Sequence, residues 1–290
     1  MIVECVPNFS TGRDPGVVRA LEAAIMSVTG VAVLDCTADA DHDRCVFTLA
    51  GPAAAVQEAA VRAVGAAVAR IDLTQQRGVH PRIGAADVIP FVPLSGVTLR
   101  ECVALAHATG HEIWRRCRVP VYFYEAAALS PGRVNLADVR RGGFEALREQ
   151  TATRPPDVGG PGLHPTAGAV IVGARPFLIA YNINLATDDL ALAQRLARKI
   201  RTSSGGFPAV KALGLALESR GIVQVSINLT NYRQTGIDQV YAAVSAEAVV
   251  LGSELIGLIP RAALPTRDVR WENFSETLIL ENRLAAACLR

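Results

Sequence analysis

VAVLDCTADADHDRCVFTLAGPAAAVQEAAVRAVGAAVAR (residues 31–70) sets the fold class. Residues 31–36 and 45–49 are short β-prone runs, and the polar stretch 37–44 between them reads as a long acidic hairpin connection. Gly51-Pro52 then opens an Ala/Val-rich helix to about Arg70. Working outward, residues 2–6 are apolar with one charge and are broken by Pro7-Asn8. Asp14-Pro15 reads as N-cap and first position of a helix whose apolar residues Val18, Leu21, Ala24 and Ile25 recur at helical spacing. Residues 88–92 form another apolar run. Thr98 and Glu101 fit a capping box at the head of a helix to about Arg116. Residues 119–124 are a strand candidate, and a short helix follows Pro131-Gly132. Residues 151–168 are a loop rich in proline and glycine.

The second half repeats the theme. Residues 177–184 read as a strand, and Thr187 as the cap of a helix to about Arg201. Residues 203–206 break it, and a second helix is expected to end at Gly221. Residues 223–229 alternate as a strand, 237–251 read as a helix, 255–259 as a last strand, and 272–289 as a terminal helix. The expectation is an α/β (α+β) chain of two ferredoxin-like-type subdomains, 1–174 and 175–290, each a sheet with helices. No GxGxxG follows a strand and no GxxxxGK[ST] occurs, which removes the Rossmann and P-loop readings.

Composition narrows the function classes. The chain has 290 residues, 50% hydrophobic and 19% charged, enough to bury a large core. With 29 Lys+Arg against 27 Asp+Glu the net charge is +2, which argues against a dedicated nucleic-acid binder. Of the cations only Lys199 and Lys211 are lysines; the arginines bring forked donors suited to carboxylates. No run of 18 apolar residues signals a membrane span, the N-terminus shows no secretory pattern, and six scattered cysteines without CxxC read as reduced thiols in a cytoplasmic protein.

Three segments carry candidate chemistry. The first runs Gly78-Val79-His80-Pro81-Arg82-Ile83-Gly84-Ala85-Ala86-Asp87. Pro81 biases His80 toward extended geometry, and a histidine on a rigid turn suits proton transfer; a surface loop whose histidine has no function is the alternative. Arg82 is placed to bind a carboxylate or a developing negative charge, and Asp87 to orient either. The second is Asp39-Ala40-Asp41-His42-Asp43-Arg44; its spacing completes neither an EF-hand nor an HExxH site, so no metal is expected. A solvated turn and a carboxylate supporting His80 both remain open. The third is Gly159-Gly160-Pro161-Gly162-Leu163-His164-Pro165-Thr166-Ala167-Gly168, read either as a linker or as a backbone that lets a flat ligand approach. His107 and His111 share a helix face but have no third metal ligand.

Together these segments resemble the formiminotransferase (glutamate formimidoyltransferase) family. The resemblance rests on Glu4-Cys5-Val6-Pro7-Asn8-Phe9-Ser10, Asp41-His42-Asp43-Arg44, the His80–Asp87 and His164–Ala169 stretches, and Val172-Gly173-Ala174-Arg175. Phe177 to Leu185, Val210-Lys211-Ala212-Leu213-Gly214, Gln224 to Thr230 and Gly257-Leu258-Ile259-Pro260 extend it. The resemblance implies transfer of the formimidoyl group of N-formimidoyl-L-glutamate to N5 of tetrahydrofolate, a step of histidine breakdown. It also implies a folate cleft between two subdomains, a homodimer, and tetrahydrofolate as co-substrate without a metal. His80 is then the acid/base. The loop Gly159 to Gly168 is the folate loop. Animal members are fused to a cyclodeaminase, so here that activity is expected from a separate protein. Thr37 stands where the animal enzymes carry a catalytic aspartate, so the orienting carboxylate is Asp39 or Asp41, or is missing.

On this reading N5 attacks the amidine carbon and one histidine moves the proton from N5 to the departing glutamate amine. Arg44, Arg82 and Arg175 are the expected carboxylate partners, and Asn182 and Asn184 the expected hydrogen-bonding groups for pterin or glutamate. Transfer of formyl from N-formylglutamate, hydrolysis of the donor, and folate binding without catalysis are the rival readings.

Overall fold

A computed structural model of the chain describes residues 1–78 and 80–289. It divides into two units: Met1–Arg175 with the residues from Ala287 onward, and Pro176–Ala286.

The first unit begins with β1 (Ile2–Cys5), β2 (Asn8–Phe9), α1 (Pro15–Met26), β3 (Ala32–Asp39), β4 (Arg44–Gly51), α2 (Ala53–Val68) and β5 (Ala86–Ser95). β1 and β2 both pair with β4 and β5, so they act as one interrupted strand between them, and β3 flanks β4 at the edge. This is a ferredoxin-like βαββαβ unit. It is extended by α3 (Leu99–Cys117), β6 (Val121–Glu125), the short helices α4 (Leu136–Val139) and α5 (Gly143–Glu149), and β7 (Val170–Ala174). β7 inserts parallel to both β5 and β6, giving seven strands.

Local signals start α1 and α3 where the sequence says. The Asp14 carboxylate accepts from Gly16 and Val17 amides at 2.7 and 3.2 Å, and Thr98 and Glu101 close the expected capping box. Strand alternation then sorts the side chains. Val3, Cys5, Phe9, Cys45, Phe47, Leu49, Ile89 and Phe91 belong to the core that also holds Leu21, Val56, Ala60 and Ile113 of the helices. Burying each large apolar side chain is worth roughly 1.5–3 kcal/mol. The period of two turns Glu4, Asn8, Arg44 and Thr48 to the opposite face. On the β6–β7 side that face carries a small second core of Val88, Tyr122, Tyr124, Val139, Leu147 and Ile171.

The second unit comprises β8 (Ile179–Leu185), α6 (Leu190–Ile200), β9 (Val210–Leu217), β10 (Ile222–Leu229), α7 (Ile237–Ser245), β11 (Val250–Ile256) and α8 (Leu280–Ala286). Its sheet runs β11-β8-β10-β9, all antiparallel, again ferredoxin-like. Ile179, Tyr181, Ile183, Val223, Val225 and Ile227 pack with Leu196, Ile200, Val240 and Val244 of α6 and α7. No helix of the described residues is long and apolar enough to cross a membrane.

Several boundaries differ from expectation. Thr37, Ala38 and Asp39 extend β3 because each finds a ladder partner in β4, shrinking the connection to residues 40–43. Residues 210–217, read as helix, form β9, because pairing with β10 along their whole length overrides helical propensity. Gly214 lies so close to α6 that a Cβ there would sit 2.3 Å from the Gln194 nitrogen. Gly221 does have φ 60°, but it closes a single 3₁₀ turn, Glu218–Arg220. Asp189, not Thr187, caps α6, its carboxylate accepting from Leu192 N–H at 3.1 Å. α7 stops at Ser245 and residues 250–256 pair with β8; the terminal helix is the short Leu280–Ala286. β7, absent from the sequence reading, is the central parallel strand.

Gly214→Val therefore drives a side chain into the α6 backbone. A loss of about 1–3 kcal/mol is expected, measured by urea unfolding; an unchanged midpoint counts against the close packing of β9 on α6.

Candidate functional site

The site is built around an irregularity in β5. Phe9 pairs with Ala86 and Asn8 with Val88, so Asp87 is an extra, bulged residue between them. Its carboxylate is fully buried and tied three ways. Oδ1 accepts the Ile83 N–H at 2.8 Å; Oδ2 accepts Arg44 Nη1 at 3.0 Å and Arg140 Nη2 at 2.5 Å. Burial by itself would raise its pKa, but Arg140 and Arg44 hold it below the usual carboxylate value. Arg44 also donates from Nε and Nη2 to Asn8 Oδ1, at 3.1 and 2.9 Å. Burial, then repulsion from Arg140, pushes Arg44 down to about 10, against the pull of Asp87.

The turn at His80 is fixed from several sides. Ser10 Oγ donates to the Gly84 carbonyl at 2.7 Å, and Ala169 N–H to the Ile83 carbonyl at 3.0 Å. The Phe144 N–H donates to the Arg82 carbonyl at 2.9 Å. His80 Nδ1 lies 2.9 Å from the Pro81 carbonyl oxygen. A carbonyl can only accept, so Nδ1 carries the proton and Nε2 the lone pair. Desolvation, followed by repulsion from Arg44 and Arg140, holds His80 well below its ordinary 6.5. The ring of His42, itself 8% exposed, lies 6.0 Å from the His80 ring.

The predicted residues divide. The Gly159–Gly168 stretch belongs to the first unit, and its second half borders the His80 turn. Gly168 N–H and His164 N–H exchange bonds with each other's carbonyls at 3.0 and 2.8 Å, while Ala85 N–H donates to Ala167 O and Leu73 N–H to Thr166 O. His164 Nδ1 accepts from the Thr166 and Ala167 amides, which makes it a turn-former, and desolvation lowers its pKa. Gly168 has φ 68°, and a Cβ there would sit 2.1 Å from the Ile83 carbonyl. Arg82 is engaged by Gln76 and by Glu145 at 3.0 Å, with further bonds to the Leu73 and Gln76 carbonyls. Asp39 accepts the His42 N–H at 2.7 Å, and Asp41 lies on the same turn. Thr37 donates to Asp35 at 3.0 Å. Arg175 lies beside Glu4 and Tyr124; burial lifts the Glu4 carboxyl to about 7, countered in part by Arg175.

Asn182 and Asn184 stand on β8 of the second unit, on the face away from its core. Asn184 donates to Glu254 at 2.7 Å and Glu272 at 3.1 Å and accepts from Gln224 at 2.8 Å. Arg220 bridges the same two glutamates at 2.8 and 3.0 Å. Among the described residues no group of three or more His, Cys, Asp or Glu side chains is arranged to hold a metal ion.

Sequence reasoning did not single out Arg140 or Glu4, and it gave His42, within the Asp39–Arg44 segment, no role of its own. Arg140 sits in an Arg140-Arg141 pair that reads as a solvated helix end, and nothing local distinguishes it. Glu4 and Asn8 offered one signal, polar residues in an otherwise apolar strand run.

Two ferredoxin-like units make up this α/β protein, and the first carries a tautomer-fixed histidine under the field of a buried arginine pair. Residues 2–175 match the formiminotransferase domain, N-terminal subdomain, and residues 180–283 the formiminotransferase domain. The chain belongs to the formiminotransferase family. It is 44% identical to glutamate formimidoyltransferase of Streptococcus pyogenes serotype M1, over 91% of this chain and 90% of that protein. It is 41% identical to glutamate formimidoyltransferase of Thermoplasma acidophilum, over 99% and 98%. It is also 41% identical to formimidoyltransferase-cyclodeaminase of Gallus gallus, over 91% of this chain and 51% of that protein.

Asp87→Asn leaves two buried guanidinium groups without a charged partner and is expected to cost about 3–5 kcal/mol, read from chemical unfolding at neutral pH. Because the folded Asp87 pKa is depressed, its contribution is complete above the unfolded value near 3.8 and is lost as pH falls through the folded one. The stability gap between wild type and variant should therefore close only in strong acid; a gap closing above pH 5 would contradict the ion network.

Proposed function

We propose that the chain is a glutamate formimidoyltransferase, moving the formimidoyl group of N-formimidoyl-L-glutamate to N5 of tetrahydrofolate, with His80 as its acid/base. The observation that carries this reading is the His80 imidazole: fixed at Nδ1 by a carbonyl, basic at Nε2, and neutral beside two cations. Membership of the family and the full-length relatives support the substrate assignment.

Tetrahydrofolate, the acceptor substrate, supplies N5 as nucleophile toward the amidine carbon. Once bonded to carbon, N5 is positively charged and acidic, so the weakly basic His80 Nε2 suffices to take its proton. The imidazolium formed is correspondingly acidic and gives that proton to the glutamate nitrogen as the carbon–nitrogen bond breaks. Proton and leaving group balance without a further reactant. The orienting group behind His80 is the Pro81 carbonyl, which leaves Asp39 and Asp41 the task of shaping the β3–β4 turn. Arg82 serves by clamping the turn to Gln76 and Glu145. The loop Gly159 to Gly168 supplies a backbone wall beside the turn for the flat pterin. Arg175, Asn182 and Asn184 remain the proposed partners for substrate carboxylates and amides. The protein is taken as a cytoplasmic homodimer that hands its product to a separate cyclodeaminase; six unpaired cysteines suit a reducing compartment.

Incubation with tetrahydrofolate and each donor, following the folate spectrum, tests the reading. Consumption of N-formimidoylglutamate only when tetrahydrofolate is present supports transfer. Release without folate indicates hydrolysis, and preference for N-formylglutamate indicates formyl transfer. Folate binding without turnover rejects catalysis. His80→Ala is expected to fold normally and lose roughly a hundred- to ten-thousand-fold in kcat. Since the base works unprotonated and its pKa is lowered, kcat/KM should rise with pH below 6.5 and be flat at pH 7. An acid limb centred at or above 6.5 would contradict the neutral imidazole.

A further inference from the structure

Arg140 leaves the end of α4 and reaches the bulged carboxylate of Asp87, where Arg44 already binds the same oxygen. Two guanidinium groups thus share one carboxylate, with side-chain exposures of 12% for Arg140, 9% for Arg44 and 0% for Asp87. One positive charge is left over in a desolvated place. The two arginines differ in how they are satisfied. Arg44 spends Nε and Nη2 on Asn8 and Nη1 on Asp87. Arg140 Nε is buried and has no hydrogen-bond partner among the described residues. A buried donor without an acceptor, on a cation without its own counter-ion, calls for an anion. The surplus charge is felt by His80, which is under the field of Arg44 from β4 and Arg140 from the end of α4 and has the His42 ring 6.0 Å away.

We propose that Arg140, backed by Arg44, is the seat of the α-carboxylate of the formimidoyl donor, an anion site directly beside His80. The inference rests on reading the chain as a formimidoyltransferase. In the donor, the α-carboxylate and the departing nitrogen share one carbon atom. When His80 Nε2 serves that nitrogen, the carboxylate must lie within a few bond lengths of the ring. The carboxylates of a folate hang at the far end of its aminobenzoyl arm and do not meet this requirement. Guanidinium is the group suited to a carboxylate in such a place, and Arg82, adjacent in sequence, is already engaged by Gln76 and Glu145. The site also couples binding to chemistry. Desolvation comes first in keeping His80 from holding a proton, and a carboxylate on Arg140 offsets the arginine repulsion that adds to it, so the donor raises the proton affinity of the base that will act on it. By linkage, a protonated His80 holds the donor more tightly.

Two measurements test this. The His80 imidazole is titrated by NMR with and without N-acetylglutamate, an unreactive α-carboxylate probe, in the wild type, Arg140→Gln and Arg140→Lys. The probe should raise the His80 pKa in the wild type and leave it unmoved in Arg140→Gln; no shift in the wild type overturns the proposal, whether or not a variant folds. In steady-state kinetics Arg140→Gln should raise KM for N-formimidoylglutamate roughly ten- to hundred-fold, leave KM for tetrahydrofolate within about two-fold, and be partly rescued in Arg140→Lys. A rise confined to KM for tetrahydrofolate, or unchanged KM values with a lowered Tm, overturns it. If the wild type transfers no formimidoyl group, the functional reading fails, while the N-acetylglutamate titration still decides whether the anion seat exists.

Discussion

The buried carboxylate of Asp87 is the constraint on which the first unit depends. It joins three pieces of chain that share no local sequence relation: Arg44 at the start of β4, Arg140 at the end of α4, and the Ile83 amide of the turn that carries His80. A bulge opposite β2 makes this possible, since a regular strand would alternate past that position. Buried ion pairs of this kind roughly break even against apolar packing. What the network contributes is position: the turn, the strand and the α4 segment cannot shift independently while one carboxylate serves all three.

That geometry sets the electrostatics of the histidine. A surplus cation near an imidazole disfavours the imidazolium, and a backbone carbonyl on Nδ1 fixes which nitrogen is basic. The His80 imidazole is thereby held by a backbone carbonyl with Nε2 as its basic nitrogen. Thr37 is bonded to Asp35 within β3, and the carbonyl of Pro81 orients the His80 ring locally. The proline is thus doubly used. It restricts the residue before it, and its own oxygen receives that residue's ring proton.

The helices with strong local signals, α1 and α3, begin where Asp14 and Thr98 say they must, because a cap is satisfied within a single turn. The strands of alternating or continuous apolar character were also legible, as was the ferredoxin-like repetition in both halves. β9 was not. Its residues have helix-compatible composition, and only eight consecutive pairings with β10 make them extended. The same holds for β7, whose meaning as a central parallel strand exists only through β5 and β6. At the site, His80 and the glycine-rich loop were recognisable because unusual residues sit at adjacent positions. The partners of Arg82, Gln76 and Glu145, were not legible, since they are fixed by folding rather than by spacing.

The sequence by itself determined the starts of α1 and α3, the two-subdomain α/β class and the family. Each is encoded within a few residues or in an ordered series of motifs. Tertiary structure alone decided which arginine is left with an unmatched charge. Twenty-seven arginines are chemically equivalent on paper, the 29 cations less Lys199 and Lys211. Desolvation and a shared counter-ion set Arg44 and Arg140 apart, and the partnerless Nε then singles out Arg140 of the two; these arise only when segments dozens of residues apart are packed around one carboxylate.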